Sequence, residues 1–289
     1  MASGVAGTAD GPMMIIAAEQ AEERPLVRDD VTRRMAAPVT RAMAAAIRWA
    51  PVRRWLMAVT DKQLPGLWGE LLCRKRYAED GLRTALADGV TEVVILGAGL
   101  DTLAYRVPEA ARARVYEVDL PANIARKRAA LRRAYGEVPG HVTLVPVDFD
   151  TEDLAAALER AGHPMGERTF VVWEAVTQYL SESGVRTTLA ALAAAAPGSR
   201  LVFTYVRADF LDGTNLYGAP AAYRRFASGD HPLWRFGLTP DAVAPLLGAY
   251  GWREVEQLGA AECADRYLSP AGRDLPVTDV ERSVLAERI

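Results

Sequence analysis

A short, uninterrupted apolar run leads directly into a glycine-rich turn, and this feature constrains the fold more than any other. Residues 91–96 read TEVVIL, which predicts a buried strand, because apolar runs without alternation are typical of parallel sheets covered on both faces. Gly97-Ala98-Gly99 follows at once. Glycine lets a ligand approach the backbone closely, and the helix after such a turn offers free N–H groups. The run therefore predicts a strand that ends at a ligand site.

The same alternation of apolar runs and helical segments continues over most of the chain. Later runs predict further strands at 114–119, 142–147, 169–173, 200–206 and 252–258. Amphipathic helical patterns separate most of them, and Pro121 suits the first turn of one such helix. The tail beyond Arg266 predicts a short charged helix. Strands that alternate with helices predict an α/β fold with a parallel sheet covered on both faces.

Segments outside this alternation predict covers for the sheet. Residues 25–64 contain helical patterns broken by two prolines, which predict an N-terminal helical cap. Residues 207–237 are rich in Tyr, Phe, Asp and Gly, and they predict an inserted lid after the fifth strand. Residues 1–24 combine small residues, one short apolar run and several acids, which predicts a flexible arm. Residues 25–289 are expected to form a single domain.

Composition and charge exclude several classes of function. The chain has 289 residues and a formal net charge of -3, so no basic surface typical of nucleic-acid binding is indicated. The histidines are scattered, and Cys73 and Cys263 lie far apart in the sequence, so neither a metal site nor a disulfide framework is expected. No apolar stretch reaches the ~20 residues that span a bilayer. We expect a cytoplasmic protein that binds neither nucleic acid nor membrane; its oligomeric state is not defined by the sequence.

Acidic residues end three of the predicted strands, where an open parallel sheet binds its ligands. Asp119 ends the second strand, 22 residues after Gly97, and a carboxylate there can accept both hydroxyls of a ribose. Asp148 ends the third strand, where it and the following backbone N–H can bind the edge of an adenine, and Glu174 ends the fourth. Asp119 or Asp148 alone could cap the next helix, and Glu174 alone could be a satisfied polar group at a sheet edge. Together with the glycine turn, they predict a site for a nucleotide-like cofactor.

Two cofactor classes fit this arrangement, a nicotinamide dinucleotide and S-adenosylmethionine. A dinucleotide turn would place a third glycine where Thr102 stands, and Asp101 would repel a pyrophosphate. S-adenosylmethionine carries a sulfonium and an ammonium group and no phosphate, so acids near the turn and at Glu174 favour it. Its carboxylate requires a cation, for which Arg74 is the nearest upstream candidate and Arg76 the second. A solvated basic helix face is the alternative for both arginines.

Four motifs of the sequence can be compared with known families. They are VILGAGLDT at 94–102 followed by Tyr105-Arg106, YEVDLP at 116–121 with Lys127, VDFD at 147–150, and WEAV at 173–176 with Tyr179-Leu180. These motifs resemble the leucine carboxyl methyltransferase family, and the similarity extends over about 65–273. The sequence departs from the family pattern at Ala175, where glycine is usual, and at Gln178, where a less polar residue is common.

This resemblance implies a class I methyltransferase with a Rossmann-like, mostly parallel seven-stranded sheet, helices on both faces, the helical cap and the lid insert. It also implies S-adenosylmethionine as the cofactor. The residues expected to contact the cofactor are Arg74, Gly97, Ala98, Gly99, Asp101, Asp119, Leu120, Asp148, Phe149 and Glu174. The family includes enzymes that methylate the C-terminal carboxylates of proteins, and a branch that acts on small natural-product acids and phenols.

The leading hypothesis is an O-methyltransferase of secondary metabolism that acts on a carboxylate or a phenolic hydroxyl of a small molecule. A carboxylate needs no general base, whereas a phenol with a pKa of about 10 would benefit from one. His231 and Tyr179 are the candidates for a base or for positioning. The candidate acceptor-binding residues are Tyr205, Arg207, Tyr217 and Trp234, for which ordinary packing is the alternative.

Three other interpretations stay open. A carboxyl methyltransferase of a peptide or protein C-terminus is the main variant. A nicotinamide-dependent oxidoreductase is disfavoured by Thr102 and by the lack of a Tyr-x-x-x-Lys pair. A non-catalytic cofactor-binding protein is disfavoured because a degenerate domain has no need to keep the whole set of strand-end residues.

Overall fold

A central sheet organises the computed structural model, which describes residues 10–289. The strands are β1 (Glu92–Leu96), β2 (Arg114–Asp119), β3 (Val142–Pro146), β4 (Thr169–Trp173), β5 (Arg200–Arg207), β6 (Gly237–Leu238), β7 (Trp252–Leu258) and β8 (Glu281–Arg288). Their order is β3-β2-β1-β4-β5-β8-β7, and the short β6 pairs with β5. Strands β1 to β5 are parallel, whereas β8 runs antiparallel to both neighbours. The predicted mostly parallel sheet is confirmed.

Helices precede the sheet and cover its faces. They are α1 (Asp10–Glu19), α2 (Val31–Met35), α3 (Pro38–Ile47), α4 (Ala50–Asp61), α5 (Leu67–Ala87), α6 (Leu103–Arg106), α7 (Pro121–Tyr135), α8 (Leu154–Arg160), α9 (Glu182–Leu192), α10 (Ala208–Leu211), α11 (Pro220–Ala222), α12 (Pro240–Gly248) and α13 (Ala260–Cys263). Within residues 10–289, no helix is long and apolar enough to cross a membrane.

Strand β1 shows why its sequence is a continuous apolar run. Successive side chains of a strand point to opposite faces of the sheet. Val93 therefore joins the apolar cluster that contains Leu82 of α5, whereas Val94 joins the cluster that contains Leu189 of α9. Since helices cover both faces, every residue of β1 is buried.

The C-terminal tail ends in a strand, not in the predicted charged helix. Its charged residues resemble the surface of a helix, but Val284 and Ala286 alternate into the core. Strand β8 lies between β5 and β7, and Val284 pairs with Phe203 of β5. Partners on both edges satisfy the backbone of β8, and this tertiary pairing overrides the local pattern.

The structure contradicts the predicted flexible arm over residues 10–24. Helix α1 buries Ile16 in the same cluster as α5. Glu19, at the end of α1, is also buried, and its Oε1 and Oε2 accept hydrogen bonds from Arg273 at 3.0 and 3.1 Å. The acids after the apolar run suggested a segment exposed to solvent, but one of them, Glu19, is buried and binds Arg273 in the interior. Residues 1–9 of the predicted arm lie outside the described residues.

The segment between β5 and β6 folds into short helical pieces around an apolar cluster of its own. Trp234 is buried in this cluster and stacks on Phe226, with the ring centroids 4.8 Å apart. The segment touches the end of the N-terminal helices, where the backbone N–H of Ala222 donates to the carbonyl of Gln63 at 3.1 Å. The two predicted covers are therefore in contact, and movement of residues 207–237 as a lid stays a prediction.

Replacement of Gly69 tests how tightly α5 packs against the C-terminal segment. A Cβ at Gly69 would lie 2.2 Å from the carbonyl oxygen of Pro276. Alanine favours a helix by about 1 kcal/mol, but a clash with backbone must displace α5, so we expect Gly69→Ala to lower the free energy of unfolding by about 1–3 kcal/mol. Urea unfolding measures this change. Gly140→Ala is the matched control, because nothing lies within 4 Å of its Cβ position; equal stability of the two variants would contradict the expectation.

Candidate active site

A cavity of about 1050 Å³ lies at the carboxyl ends of β1 to β4 and extends to the N-terminal helices. The structure brings all ten predicted cofactor residues into its lining. They are Arg74, Gly97, Ala98, Gly99, Asp101, Asp119, Leu120, Asp148, Phe149 and Glu174. Tyr179 and Trp234 line the cavity as well. The strand ends therefore converge on one site, as the topology of a parallel sheet requires.

The glycine turn is fixed by contacts with two neighbouring segments. Gly97 has a φ of +66°, and a Cβ there would lie 2.1 Å from the side chain of Val176. The carbonyl of Val118, in β2, accepts hydrogen bonds from the backbone N–H groups of Gly97 and Ala98 at 2.7 and 3.0 Å. Only glycine fits this conformation and this space at position 97. The turn thus presents its backbone, without side chains, to the cavity.

The carboxylate of Asp119 is held in place at the end of β2. Its Oδ2 accepts a hydrogen bond from the backbone N–H of Gly99 at 2.6 Å. Its Oδ1 accepts from the backbone N–H of Leu120 at 2.7 Å and from Nδ2 of Asn123 at 2.8 Å. Asn123 lines the cavity too, and its own Oδ1 is buried without a partner among the described residues. An aligned carboxylate and an unused amide oxygen therefore lie side by side.

Arg74 lies at the centre of a buried ion network. From α5, its Nε donates to Glu174 at 2.8 Å, and its Nη1 donates to Glu281 at 2.9 Å and to Glu70 at 3.2 Å. Burial opposes a charge on Arg74, but these carboxylates outweigh it and hold the pKa of the guanidinium well above its ordinary value. The arginine is therefore fixed and fully charged at the edge of the cavity.

Lys75 neutralises the acid of the glycine turn. It pairs with Asp101, and its Nζ lies 2.9 Å from Glu174. Arg106 approaches Asp101 at 3.5 Å from the other side. Burial would raise the pKa of Asp101, but Lys75 and Arg106 outweigh burial and lower it. From the sequence, we expected the negative charge of Asp101 to favour a cationic cofactor. In the structure, this charge is already paired with Lys75 and Arg106.

Lys127 fastens the glycine turn from below. Its side chain is fully buried, and its Nζ lies 2.8 Å from the equally buried carboxylate of Glu117. The same Nζ donates to the carbonyls of Ala98 at 3.3 Å and Asp101 at 2.7 Å. Glu117 of the YEVDLP motif and the associated Lys127 thus stabilise the turn without lining the cavity themselves.

The turn after β3 is stabilised by local hydrogen bonds. Asp148 donates its backbone N–H to the carboxylate of Glu152 at 2.8 Å, and its Oδ1 accepts from the backbone N–H of Asp150 at 3.1 Å. Phe149 is buried beneath this turn and packs with the cluster around β3. The turn thereby places two acids, Asp148 and Asp150, and the aromatic ring of Phe149 at the cavity wall.

Four candidate residues are not brought to this site. The hydroxyl of Tyr205 is directed into the core, where it donates to Gln257 at 2.7 Å. Arg207 and Tyr217 both bind Asp209 after β5 and belong to a surface cluster. His231 is exposed. None of the four lines the cavity. The side chain of Tyr205 is buried in the core, and the other three side chains lie outside the cavity.

Sequence reasoning missed several residues of the lining. Lys75 is adjacent to Arg74, and Asn123 is four residues, about one helical turn, after Asp119, so position alone could have indicated both. Gln178 departs from the family pattern, and its side chain is buried in the lining, where Oε1 has no hydrogen-bond partner within residues 10–289. Apolar lining residues of α1, α3 and α4 carry no motif that separates them from ordinary packing.

Glu70 is expected to make stability depend on pH. Burial raises its pKa to about 8, although Arg74 opposes this shift. A raised carboxyl pKa means that the folded state favours the protonated form. The contribution of this proton to the free energy of unfolding is therefore complete below the unfolded pKa of about 4.5 and is lost as pH rises towards 8. Glu70→Gln removes this titrating group. As pH rises across this range, the free energy of unfolding of the variant should increase by a few kcal/mol relative to that of the natural protein. Urea unfolding at several pH values tests it, with the exposed Glu159→Gln as control; parallel profiles would contradict the assignment.

Comparison with known proteins relates the chain to methyl transfer. A family model described as leucine carboxyl methyltransferase matches residues 10–193. A protein of Streptomyces coelicolor is 31% identical over 266 residues, which cover 86% of this chain and 83% of that protein. A protein of Streptomyces avermitilis is 32% identical over 272 residues, with coverage of 93% and 89%. Both are named provisionally as S-adenosyl-L-methionine-dependent methyltransferases.

A solved structure supports the assignment of the fold. The crystal structure of a provisionally named methyltransferase from Thermobifida fusca superposes with a TM-score of 0.58 at 20% identity, and the match covers 82% of this chain and 88% of that one. The fold is therefore that of the class I methyltransferases. Since the family model matches more than half of the chain, the protein belongs to the leucine carboxyl methyltransferase family and is an S-adenosylmethionine-dependent methyltransferase.

Proposed function

We propose that the enzyme methylates an oxygen atom of a small, largely apolar acid or phenol of secondary metabolism. The division of the cavity into two unlike ends is the observation that carries this proposal. Charged and polar groups surround the strand ends, whereas apolar side chains line the other end. These apolar residues are Met14, Ile15, Met43, Ile47, Trp55, Leu56, Leu64, Trp68 and Leu233. Such a lining suits the body of a small apolar molecule, with a few polar groups to orient it.

Unused acceptor atoms support the placement of S-adenosylmethionine at the polar end. Among the described residues, Asn123 Oδ1 and Glu281 Oε1 are buried without a hydrogen-bond donor, and both residues line the cavity. Ribose hydroxyls and an ammonium group are donors that would satisfy them. Asp119 would accept the ribose hydroxyls together with Asn123. When bound, the cofactor supplies a methyl group on a sulfonium, which a nucleophile can displace in line.

Arg74 retains a donor for the carboxylate of the cofactor. Its Nε and Nη1 bind acids of the protein, but Nη2 makes no hydrogen bond within residues 10–289. A charged, immobile guanidinium binds a carboxylate with little loss of side-chain entropy. At the end of β3, Asp148 and Phe149 are available for the adenine, one for its polar edge and the other for its ring. We propose these roles for the three residues.

Polar atoms in the lining also offer contacts for the acceptor oxygen. Trp234 Nε1 and Gln178 Oε1 are buried without partners among the described residues. The two residues are linked through the backbone, since the N–H of Arg235 donates to the carbonyl of Gln178 at 2.6 Å. Trp234 can donate to a carboxylate or phenolate oxygen, and Gln178 can accept from a hydroxyl. Their proposed role is to orient the oxygen, because methyl transfer depends mainly on alignment and exclusion of water.

The protonation of the acceptor favours a carboxylate within this proposal. The described lining of the cavity contains no histidine, and His231 is exposed outside it. A carboxylic acid is already ionised at neutral pH and reacts without a base. Tyr179 lines the cavity and is the candidate for positioning or deprotonating a phenol. A peptide C-terminus presents the same carboxylate, whereas family membership removes the nicotinamide-dependent oxidoreductase from the alternatives.

A reducing, cytoplasmic setting is part of the proposal. The fold brings Cys73 and Cys263 together, although they are 190 positions apart, and the Sγ of Cys73 lies 3.6 Å from the carbonyl oxygen of Cys263. Both are buried free thiols. Free thiols so close to each other are most compatible with a compartment that keeps cysteine reduced.

The cofactor assignment predicts a loss of affinity in Asp119→Asn. The amide keeps the shape of the carboxylate but lacks its charge and one acceptor, so we expect S-adenosylhomocysteine to bind about tenfold more weakly, or about 1.4 kcal/mol. Calorimetric titration measures this difference, with NAD as a second ligand. Asp153→Asn is the matched control, because Asp153 caps α8 away from the cavity. Equal affinity of the two variants would refute the role of Asp119.

The acceptor assignment is tested with a panel of carboxylic acids, phenols, amines and a short peptide, using release of S-adenosylhomocysteine as the readout. We expect turnover on apolar acids or phenols. Gln178→Leu should raise the acceptor KM by about tenfold while leaving the affinity for S-adenosylhomocysteine unchanged, because it removes one polar contact. His231→Ala should retain full activity. Transfer only to amines would overturn the proposal of an oxygen acceptor.

A further inference from the structure

Helices α3 and α4 expose large apolar side chains to an unusual degree. Met43 is 55% exposed, Trp49 67% and Trp55 65%. Three of the six large apolar residues exposed in the described part of the chain thus fall within 13 positions. Single exposed apolar residues are normal on a soluble protein, but a group of this size marks an interaction surface.

The same helices are strongly basic. Residues 40–62 contain five basic side chains and a single acid, Asp61, in a chain whose overall formal charge is -3. Arg53 pairs with Glu22 at 3.0 Å. Arg48 and Arg54 are exposed, and neither has a carboxylate partner within residues 10–289. Exposed positive charge and exposed tryptophan therefore occur together in one segment of a protein whose overall charge is negative.

This surface is only shallowly attached to the rest of the molecule. No residue of α4, which is described over its whole length, is buried. Val52 and Leu56 are partly buried where α4 touches the core. Met43 and Trp55 are exposed outside and also line the active-site cavity. The two helices thus form a thin wall, with apolar and basic groups outside and the cavity within.

We propose that α3 and α4 bind the surface of an anionic lipid bilayer. Tryptophan prefers the boundary between headgroups and acyl chains, and each basic residue near an anionic surface contributes about 1 kcal/mol of attraction. Trp49 inserts at this boundary, Met43 and Trp55 lie where the cavity opens towards the lipid, and Arg48 and Arg54 contact the lipid phosphates. The sequence contains no apolar stretch long enough to span a bilayer, but this criterion does not test binding at the membrane surface.

Charge favours lipid over a second copy of the chain. A two-fold symmetric dimer through this surface would bring together two surfaces with the same excess of positive charge, and like charges on opposed surfaces are destabilising. An anionic bilayer compensates every basic residue at once. Bound in this way, the thin wall places the cavity directly next to the lipid.

Flotation with lipid vesicles tests the proposal on the intact protein, without cofactor or acceptor. We expect binding to phosphatidylcholine vesicles that contain phosphatidylglycerol, little binding to phosphatidylcholine alone, and release at high salt, because screening weakens surface attraction. Trp49→Ser and the pair Arg48→Glu/Arg54→Glu should each weaken binding by about tenfold or more, judged from the loss of one inserted ring or two attractive charges. None of these residues lines the cavity, so the affinity for S-adenosylhomocysteine should stay the same and report correct folding.

The control pair is Arg112→Glu/Arg128→Glu, which makes the same change of charge at exposed positions elsewhere. Binding of this control should match that of the natural protein. No binding to anionic vesicles, or equal loss in both charge pairs, would overturn the proposal. Light scattering tests whether a second copy of the chain binds this surface instead of lipid. A dimer that dissociates in Trp49→Ser would assign the surface to a second copy and overturn the proposal. The test is independent of the acceptor panel, so failure of one leaves the other standing.

Discussion

The charge of Arg74 is the constraint around which the charged end of the cavity is arranged. A buried guanidinium without compensation is strongly destabilising, so the acids around it are structural requirements. They come from three separate elements, Glu70 within α5, Glu174 after β4 and Glu281 in β8. The network therefore ties the first long helix to the centre of the sheet and to its antiparallel strand.

This network is also biased towards a cation. Arg74, Lys75 and Arg106 are shared among five carboxylates, which include those of Asp101 and Glu79. Burial raises the pKa of Glu70 to about 8, and a proton on that residue relieves part of the excess negative charge. A positively charged cofactor relieves it further. The same bias would oppose a ligand that carries phosphates, which agrees with the family to which the chain belongs.

The sheet and the convergence of the ten strand-end and helix residues on one cavity could be predicted because their determinants are local. A parallel strand buried on both faces leaves a continuous apolar run, and the topology brings the residue after each run to one edge of the sheet. The N-terminal and C-terminal segments depend on distant partners instead. Whether Glu19 is solvated or buried is decided by Arg273, 254 positions later, and no local pattern contains that information.

The side chains that line the apolar end of the cavity could be predicted less well, for a related physical reason. Tyr205 and Tyr217 have the residue type that binds aromatic or acidic ligands, but type does not determine direction. Tyr205 faces the core because of its place in the alternation of β5, and Tyr217 binds Asp209 after a loop whose course no motif specifies. The residues that do line this end come from helices with ordinary apolar patterns. Their role follows from where the helices pack, which is a property of the whole fold.

The position of Glu281 has a consequence for how the protein is made. Strand β8 follows the other seven strands in the sequence, yet it lies between β5 and β7, one strand from an edge of the sheet. Until β8 has been synthesised, the chain lacks both this strand and one of the carboxylates that neutralise Arg74. The charge balance around Arg74 is incomplete up to that point, and pairing of such distant segments is intrinsically slow. Until then, β5 and β7 expose unpaired edges that could associate with other chains, so nascent molecules depend on rapid completion of the sheet.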